Sequence, residues 1–103
     1  MHIRKKPGDG FMNLSQLQYF RTLAKEEHYT RAAQILSITQ PSLSHAIAQL
    51  EQELGTRLFE KKGRNVVLTR YGKIFLPYVE ESLKVLEEGV QRTKAVSYTH
   101  LTL

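Results

Sequence analysis

Two sets of side chains in this 103-residue chain carry usable chemistry, and they stand apart. Residues 38–55, "ITQPSLSHAIAQLEQELG", hold the uncharged hydrogen-bonding groups Gln40, Ser42, Ser44 and His45, with Pro41 among them and no lysine or arginine before Arg57. Residues 57–68 then place Lys61, Lys62 and Arg64 within four positions. Amides, hydroxyls and neutral imidazoles donate and accept hydrogen bonds, so they tell one donor–acceptor pattern from another. Ammonium and guanidinium groups instead hold anions, phosphate above all. The net charge of +5 and the pI of about 9.6 favour a polyanionic partner, either nucleic acid or an anionic membrane face.

Other chemistries lack their residues. His2, His28, His45 and His100 share no metal-ligand spacing, and with no cysteine there is neither a disulfide frame nor a thiolate zinc site. Gly8 and Gly10 precede no strand–helix unit, so no phosphate-cradling loop is expected. Nothing brings serine, histidine and carboxylate into a nucleophile–base arrangement. No enzyme, metal or cofactor is expected. No apolar run nears the roughly 20 residues that cross a bilayer, and "MHIRKKPGDGF" has no apolar signal core. The composition suits a reducing cytoplasm, the expected location.

The elements follow from periodicity and punctuation. Residues 1–11 read as an unstructured leader, rich in turn formers. Met12 stands where patterned sequence begins, so the leader is read as non-native, with a genuine basic arm as the other possibility. Helix one is expected over Leu14–Lys25, with Asn13 and Gln16 at capping-box spacing and Leu14, Leu17, Phe20, Leu23 and Ala24 as its apolar stripe. A short helix over Thr30–Leu36, capped by Thr30, offers small Ala32 and Ala33 to a neighbour. After a brief turn, helix three is expected over Gln40–Leu54, with Gly55 as its C-cap. Pro41 is harmless in a first turn, which has no partner for its missing N–H. Leu43, Ile47, Leu50 and Leu54 make one stripe, and Pro41, His45, Ala48 and Gln52 lie opposite.

Strand-like runs Arg57–Glu60 and Val66–Leu68 flank a turn containing Gly63 and Asn65, giving a hairpin with Lys61, Lys62 and Arg64 at its tip. From Thr69 a long helix is expected to about Lys94. Leu76, Val79, Leu83, Leu86 and Val90 step by 3 and 4, as in a dimer seam. Two heptads fall short of a secure coiled coil, so an amphipathic helix packed on its own domain fits as well. Pro77 should kink that helix or leave a carbonyl unbonded. The expected architecture is mainly α: a winged helix-turn-helix, three helices plus a two-stranded β wing, followed by a long dimerising linker helix.

That order suits duplex DNA. The major groove admits a helix whose first residues meet base edges, and phosphates are gripped by cations and helix N-termini. Neutral polar groups belong where sequence is read, and Lys61, Lys62 and Arg64 belong around it. Ser42 and Ser44, on the flanks of the polar face, are expected to join the base readers.

The stretch from Met12 to Gly72, with "TRAAQIL", "TQPSLSHAIAQLE", "LGTRLFEK" and "VVLTRYG" in order, resembles the N-terminal DNA-binding domain of LysR-type transcriptional regulators. The resemblance implies base-reading positions at Gln40, Pro41, Ser44 and His45 and a wing arginine at Arg64. It also implies phosphate-contacting positions at Thr30 and Arg31, and dimerisation through the linker helix. His45 stands where arginine is common, so base preference at that step does not transfer. Tyr71, often a small residue, is a lesser departure.

The resulting division is 1–11 leader, 12–70 DNA-binding domain, 71–94 linker helix and 95–103 tail. "SYTHLTL" is β-prone and departs from the helical pattern, so the tail is read as foreign sequence or a truncated hinge. The expected partners are double-stranded DNA and a second copy of the chain, with no membrane and no small-molecule effector site in this fragment. The rival reading is a winged-helix module that binds protein, with incidental charge.

Overall fold

Local capping chemistry fixes the first three helices. The computed structural model describes residues 12–101, with side chains through residue 98; the expected leader lies outside the described residues. Helix α1 spans Leu14–Glu26. Asn13 Oδ1 accepts from the Gln16 N–H at 2.9 Å, and Gln16 Oε1 accepts from the Asn13 N–H at 3.1 Å, completing the expected capping box. Helix α2 spans Tyr29–Leu36. Its N-cap is His28, whose Nδ1 accepts from the Arg31 N–H at 3.2 Å, and not Thr30 as expected. An imidazole nitrogen serves as the acceptor that a hydroxyl usually supplies, and this displaces Thr30 into the first turn.

Helix α3 spans Gln40–Leu54, as expected, with Thr39 as N-cap and Gly55 as C-cap. Leu43, Ala46, Ile47 and Leu50 are buried, while Pro41, His45, Ala48 and Gln52 face solvent. The expected stripe is therefore the core face. Ala32 and Ala33 are also buried and lie in the same cluster, which lets α2 approach closely.

The wing is displaced from its expected bounds. Strand β1 spans Phe59–Lys62 and β2 spans Asn65–Leu68, antiparallel, with Phe59 opposite Leu68 and Lys62 opposite Asn65. Only Gly63 and Arg64 form the turn. Gly63 has φ +64° and Arg64 does not share that sign, the pattern of a type II′ hairpin with glycine at its first central position. Lys61 and Lys62 thus lie on a strand, and Arg64 alone of the three is at the tip. Arg57 and Leu58 drop out of the ladder because other groups take their polar atoms. The Glu51 carboxylate binds the Leu58 N–H, the Thr69 N–H donates to the Leu58 carbonyl at 2.9 Å, and the Thr69 hydroxyl donates to the Arg57 carbonyl at 2.7 Å.

Helix α4 spans Arg70–Leu101, about 48 Å at 1.5 Å per residue. The Thr69 hydroxyl also accepts from the Gly72 N–H at 3.2 Å and so begins the helix. The helix runs beyond Lys94 through most of the tail, so the departure from helical pattern expected there does not occur. Propagating a formed helix fixes only one residue per added hydrogen bond. Pro77 lies inside the helix without ending it, so the Lys73 carbonyl lacks its usual i+4 donor.

The first half of α4 closes the core. Phe20 of α1 meets Phe59 of β1 edge-on at 5.5 Å between centroids and Phe75 of α4 at 5.4 Å, joining three elements through one ring. Val79 and Leu83 are each 2 % exposed and belong to this cluster, with Leu76 packed against it. This corrects the expected seam: Val79 and Leu83 are consumed within the protomer, because α1 covers their face of the helix. Of the five seam residues, only Leu86 and Val90 remain exposed.

A candidate nucleic-acid interface

The wing is tied to the helix-turn-helix at two points. Glu51, in the last turn of α3, accepts from the Leu58 N–H at 2.8 Å and the Phe59 N–H at 3.3 Å, and pairs with Arg57 Nε at 3.3 Å. On the other strand, the Val66 N–H donates to the Glu27 carbonyl at 3.1 Å. Glu27 ends α1 in the left-handed conformation, which turns its carbonyl out of the helix. Glu51 was not among the residues expected at the interface. Its structural task has no local signal, since its partners lie seven and eight residues ahead in a loop.

Between the start of α2, the start of α3 and the wing lies a cleft of about 340 Å³. Thr30, Gln40, Ser44, Lys61 and Arg64 line it together, joined by His28 and Arg57, which the sequence argument did not select. Five of the expected DNA-contacting residues, drawn from three elements, thus share one concavity. Tyr29 also lines it. Burial, and then the Glu51 carboxylate, push its phenol above the ordinary tyrosine range against the pull of Arg57, so it stays neutral.

The remaining expected residues lie outside this cleft. Pro41 and His45 are exposed on the outer face of α3, one helical turn apart and adjoining Gln40 and Ser44. Ser42 stands roughly 160° around the helix from Ser44 at about 100° per residue. Its N–H is bound by Thr39 Oγ1 at 3.1 Å, and its hydroxyl accepts from the Thr39 hydroxyl at 2.9 Å. Ser42 therefore completes the cap of α3. Arg31 turns back to α1, with Nε 3.3 Å from the Glu26 carboxylate and an Nη donating to the Glu26 carbonyl. Lys62 is exposed and lines a second depression with Lys73, which Glu60 and Lys61 also border.

Two capped first turns meet at the cleft. The Thr30 hydroxyl, in the second residue of α2, donates to Gln40 Oε1, in the first residue of α3, at 3.0 Å. Among the described residues no group of three His, Asp or Glu is placed to hold a metal. Nor is any described helix long and apolar enough to cross a membrane.

The bacterial regulatory helix-turn-helix family described as lysR matches residues 14–73, more than half of the chain. The uncharacterized HTH-type transcriptional regulator YybE of Bacillus subtilis is 48 % identical over 85 residues, covering 82 % of this chain and 29 % of YybE. Among solved structures, the BenM DBD in complex with catB site 1 DNA is similar with a TM-score of 0.80 and 38 % identity, covering 86 % of this chain and 96 % of that one. The CbnR DBD–DNA complex is similar with a TM-score of 0.76 and 30 % identity, over 84 % of this chain and 99 % of that one. The chain spans less than a third of the length of YybE.

Proposed function

Since the chain belongs to the lysR family of bacterial regulatory helix-turn-helix proteins, we propose that this domain binds duplex DNA sequence-specifically, as the operator-reading part of a transcription regulator. The observation that carries this reading is the shared cleft. It sets uncharged Gln40 and Ser44 beside cationic Lys61 and Arg64, within reach of one ligand. A duplex presents base edges and phosphates side by side and needs both kinds of group at once. The exposed outer face of α3, with Pro41 and His45, would enter the major groove. The wing, led by Arg64, would lie along the backbone or minor groove. Lys62 and Lys73 add further cations beside the wing, along a depression that Glu27 and Glu60 also line.

The domain is proposed to act as a dimer on an inverted repeat with half-sites about 10 bp apart, one helical turn. Support comes from a face of α4 that the domain leaves uncovered. Ile74, Tyr78, Val85 and Val96 are 57, 70, 55 and 69 % exposed. They fall within about 40° of one another at roughly 100° per residue. Leu86 and Val90 add apolar surface beyond the end of α1. Such a long apolar stripe suits a second copy better than solvent.

Selection from random duplex DNA, followed by fluorescence anisotropy, tests the reading. Enrichment of a two-fold symmetric site supports it. The rival, a winged-helix module that binds protein, requires weak, unselective DNA binding. Phosphate contacts lower log K by about 0.9 per log unit of salt for each phosphate neutralised.

A further inference from the structure

Glutamine is an ambiguous reader of bases. Its side-chain amide turns end over end, presenting either an acceptor oxygen or a donor NH₂ group to the groove. Left free, Gln40 would meet a guanine O6, a thymine O4 or a cytosine N4 with little preference. The structure supplies a partner that favours one orientation. The Thr30 hydroxyl donates to Gln40 Oε1 at 3.0 Å, which leaves Nε2, with two N–H donors, as the outward part of the amide. Both ends of this bond are held. His28 caps α2 one residue before its first turn, and Thr39 caps α3 immediately before Gln40. Thr30 and Gln40 are both exposed and line the cleft.

We infer that Thr30 is a positioning residue for base recognition: its hydroxyl orients the Gln40 amide so that Gln40 donates to an acceptor edge, guanine or thymine, and discriminates against cytosine. Cytosine offers only the N4 donor in the major groove, which would face the Nε2 donors. The same bond redirects the role expected for Thr30. A hydroxyl has one proton, and here it goes to Gln40 and not to a phosphate, which can only accept. This inference rests on the DNA-binding reading of the same cleft.

The test uses the whole chain and the site selected by the wild type. Gln40→Ala first locates the base pair whose preference depends on Gln40. Four duplexes differing only at that pair are then titrated with wild type, Thr30→Val, Thr30→Ser and Gln40→Glu. The readout is the ratio of affinities among the four, whatever happens to affinity overall. Wild type should prefer guanine or thymine to cytosine by roughly 5- to 50-fold. Thr30→Val should reduce this ratio to less than about half its wild-type value, and Thr30→Ser, which keeps the hydroxyl, should retain it. Gln40→Glu can still accept from Thr30 but presents only acceptors, so it should turn the preference toward cytosine. That variant leaves Thr30 untouched and tests the donor role of Gln40 by itself, and Thr30→Ala, which also removes the hydroxyl, replaces Thr30→Val if the latter does not fold. The inference is overturned if Thr30→Val keeps the wild-type ratio, if Thr30→Ser loses as much as Thr30→Val, or if Gln40→Glu still favours guanine or thymine. If the wild type enriches no site, the DNA-binding reading itself fails and this inference falls with it. If a site is enriched and the Thr30 variants leave its base preference intact, only the inference fails.

Discussion

The carboxylate of Glu51 accepts from the backbone N–H of Leu58 at 2.8 Å, so the end of helix α3 directly holds the base of the wing. The same carboxylate accepts from Phe59 and pairs with Arg57, and its side chain is 12 % exposed. Glu51→Ala would leave two sheltered N–H groups without their acceptor. Such a loss costs about 1–3 kcal/mol. Thermal unfolding should show it, with DNA affinity falling as the wing loosens. Glu51→Gln, which keeps one carbonyl acceptor, should lose less on both counts.

Arg64, at the hairpin tip, is expected to act on phosphate. Arg64→Ala should weaken binding to specific and random duplexes alike, and should flatten the slope of log K against log salt by about one. Titrations at several salt concentrations read both effects. An unchanged slope would remove Arg64 from the phosphate contacts.

Ser44 and Ser42 should separate cleanly. Ser44 lines the cleft, whereas Ser42 is engaged with the Thr39 cap. Ser44→Ala should lower discrimination between the selected site and random DNA by about 1–3 kcal/mol. Ser42→Ala should leave that ratio within error. Equal losses for the two would break the distinction drawn from the geometry.

On α4, Leu83 and Val85 are two residues apart and serve different surfaces. Leu83 is buried in the protomer core, whereas Val85 is 55 % exposed. Leu83→Asp should unfold the domain, as a charge buried without a partner does. Val85→Asp should keep the helical circular dichroism but sediment as a monomer. A dimer that survives Val85→Asp would exclude this stripe as the contact.

Two glycines offer a comparison of causes. A methyl group at Gly72 would collide with the Leu58 carbonyl oxygen and lie 2.7 Å from Leu68 Cδ2. At Gly55 it would meet nothing within 4 Å, and only the φ of +75° opposes it. Gly55→Ala should cost about 1 kcal/mol, the strain of a left-handed residue. Gly72→Ala should cost more, because the first turn of α4 must move off the wing. Denaturant unfolding of the two variants gives the comparison directly.

How much of this was legible in the sequence follows from the range of each interaction. The box of Asn13 and Gln16, the bounds of α3 and its buried stripe depend on residues within one or two turns, and pattern alone exposes them. The cap of α2 was misplaced because a histidine acceptor competes with a threonine that looks better by type. The wing began two residues late because Glu51 and Thr69, distant in sequence, withdraw Arg57 and Leu58 from the ladder. The steps of 3 and 4 along α4 marked an apolar face correctly, yet one helix carries two such faces. Only the position of α1 reveals that Val79 and Leu83 serve the core while Val85 stays outside. At the cleft, residue types identified Gln40, Ser44, Lys61 and Arg64. The bond from Thr30 to Gln40 joins two helices and has no signature in either.

The most direct test of the central claim is anisotropy of the chain against its selected duplex and a random duplex, each at two salt concentrations. A selective DNA reader should bind the selected site at least about 10³-fold more tightly than random duplex, with affinity falling steeply as salt rises. Equal affinity for both duplexes, or binding that ignores salt, would contradict it.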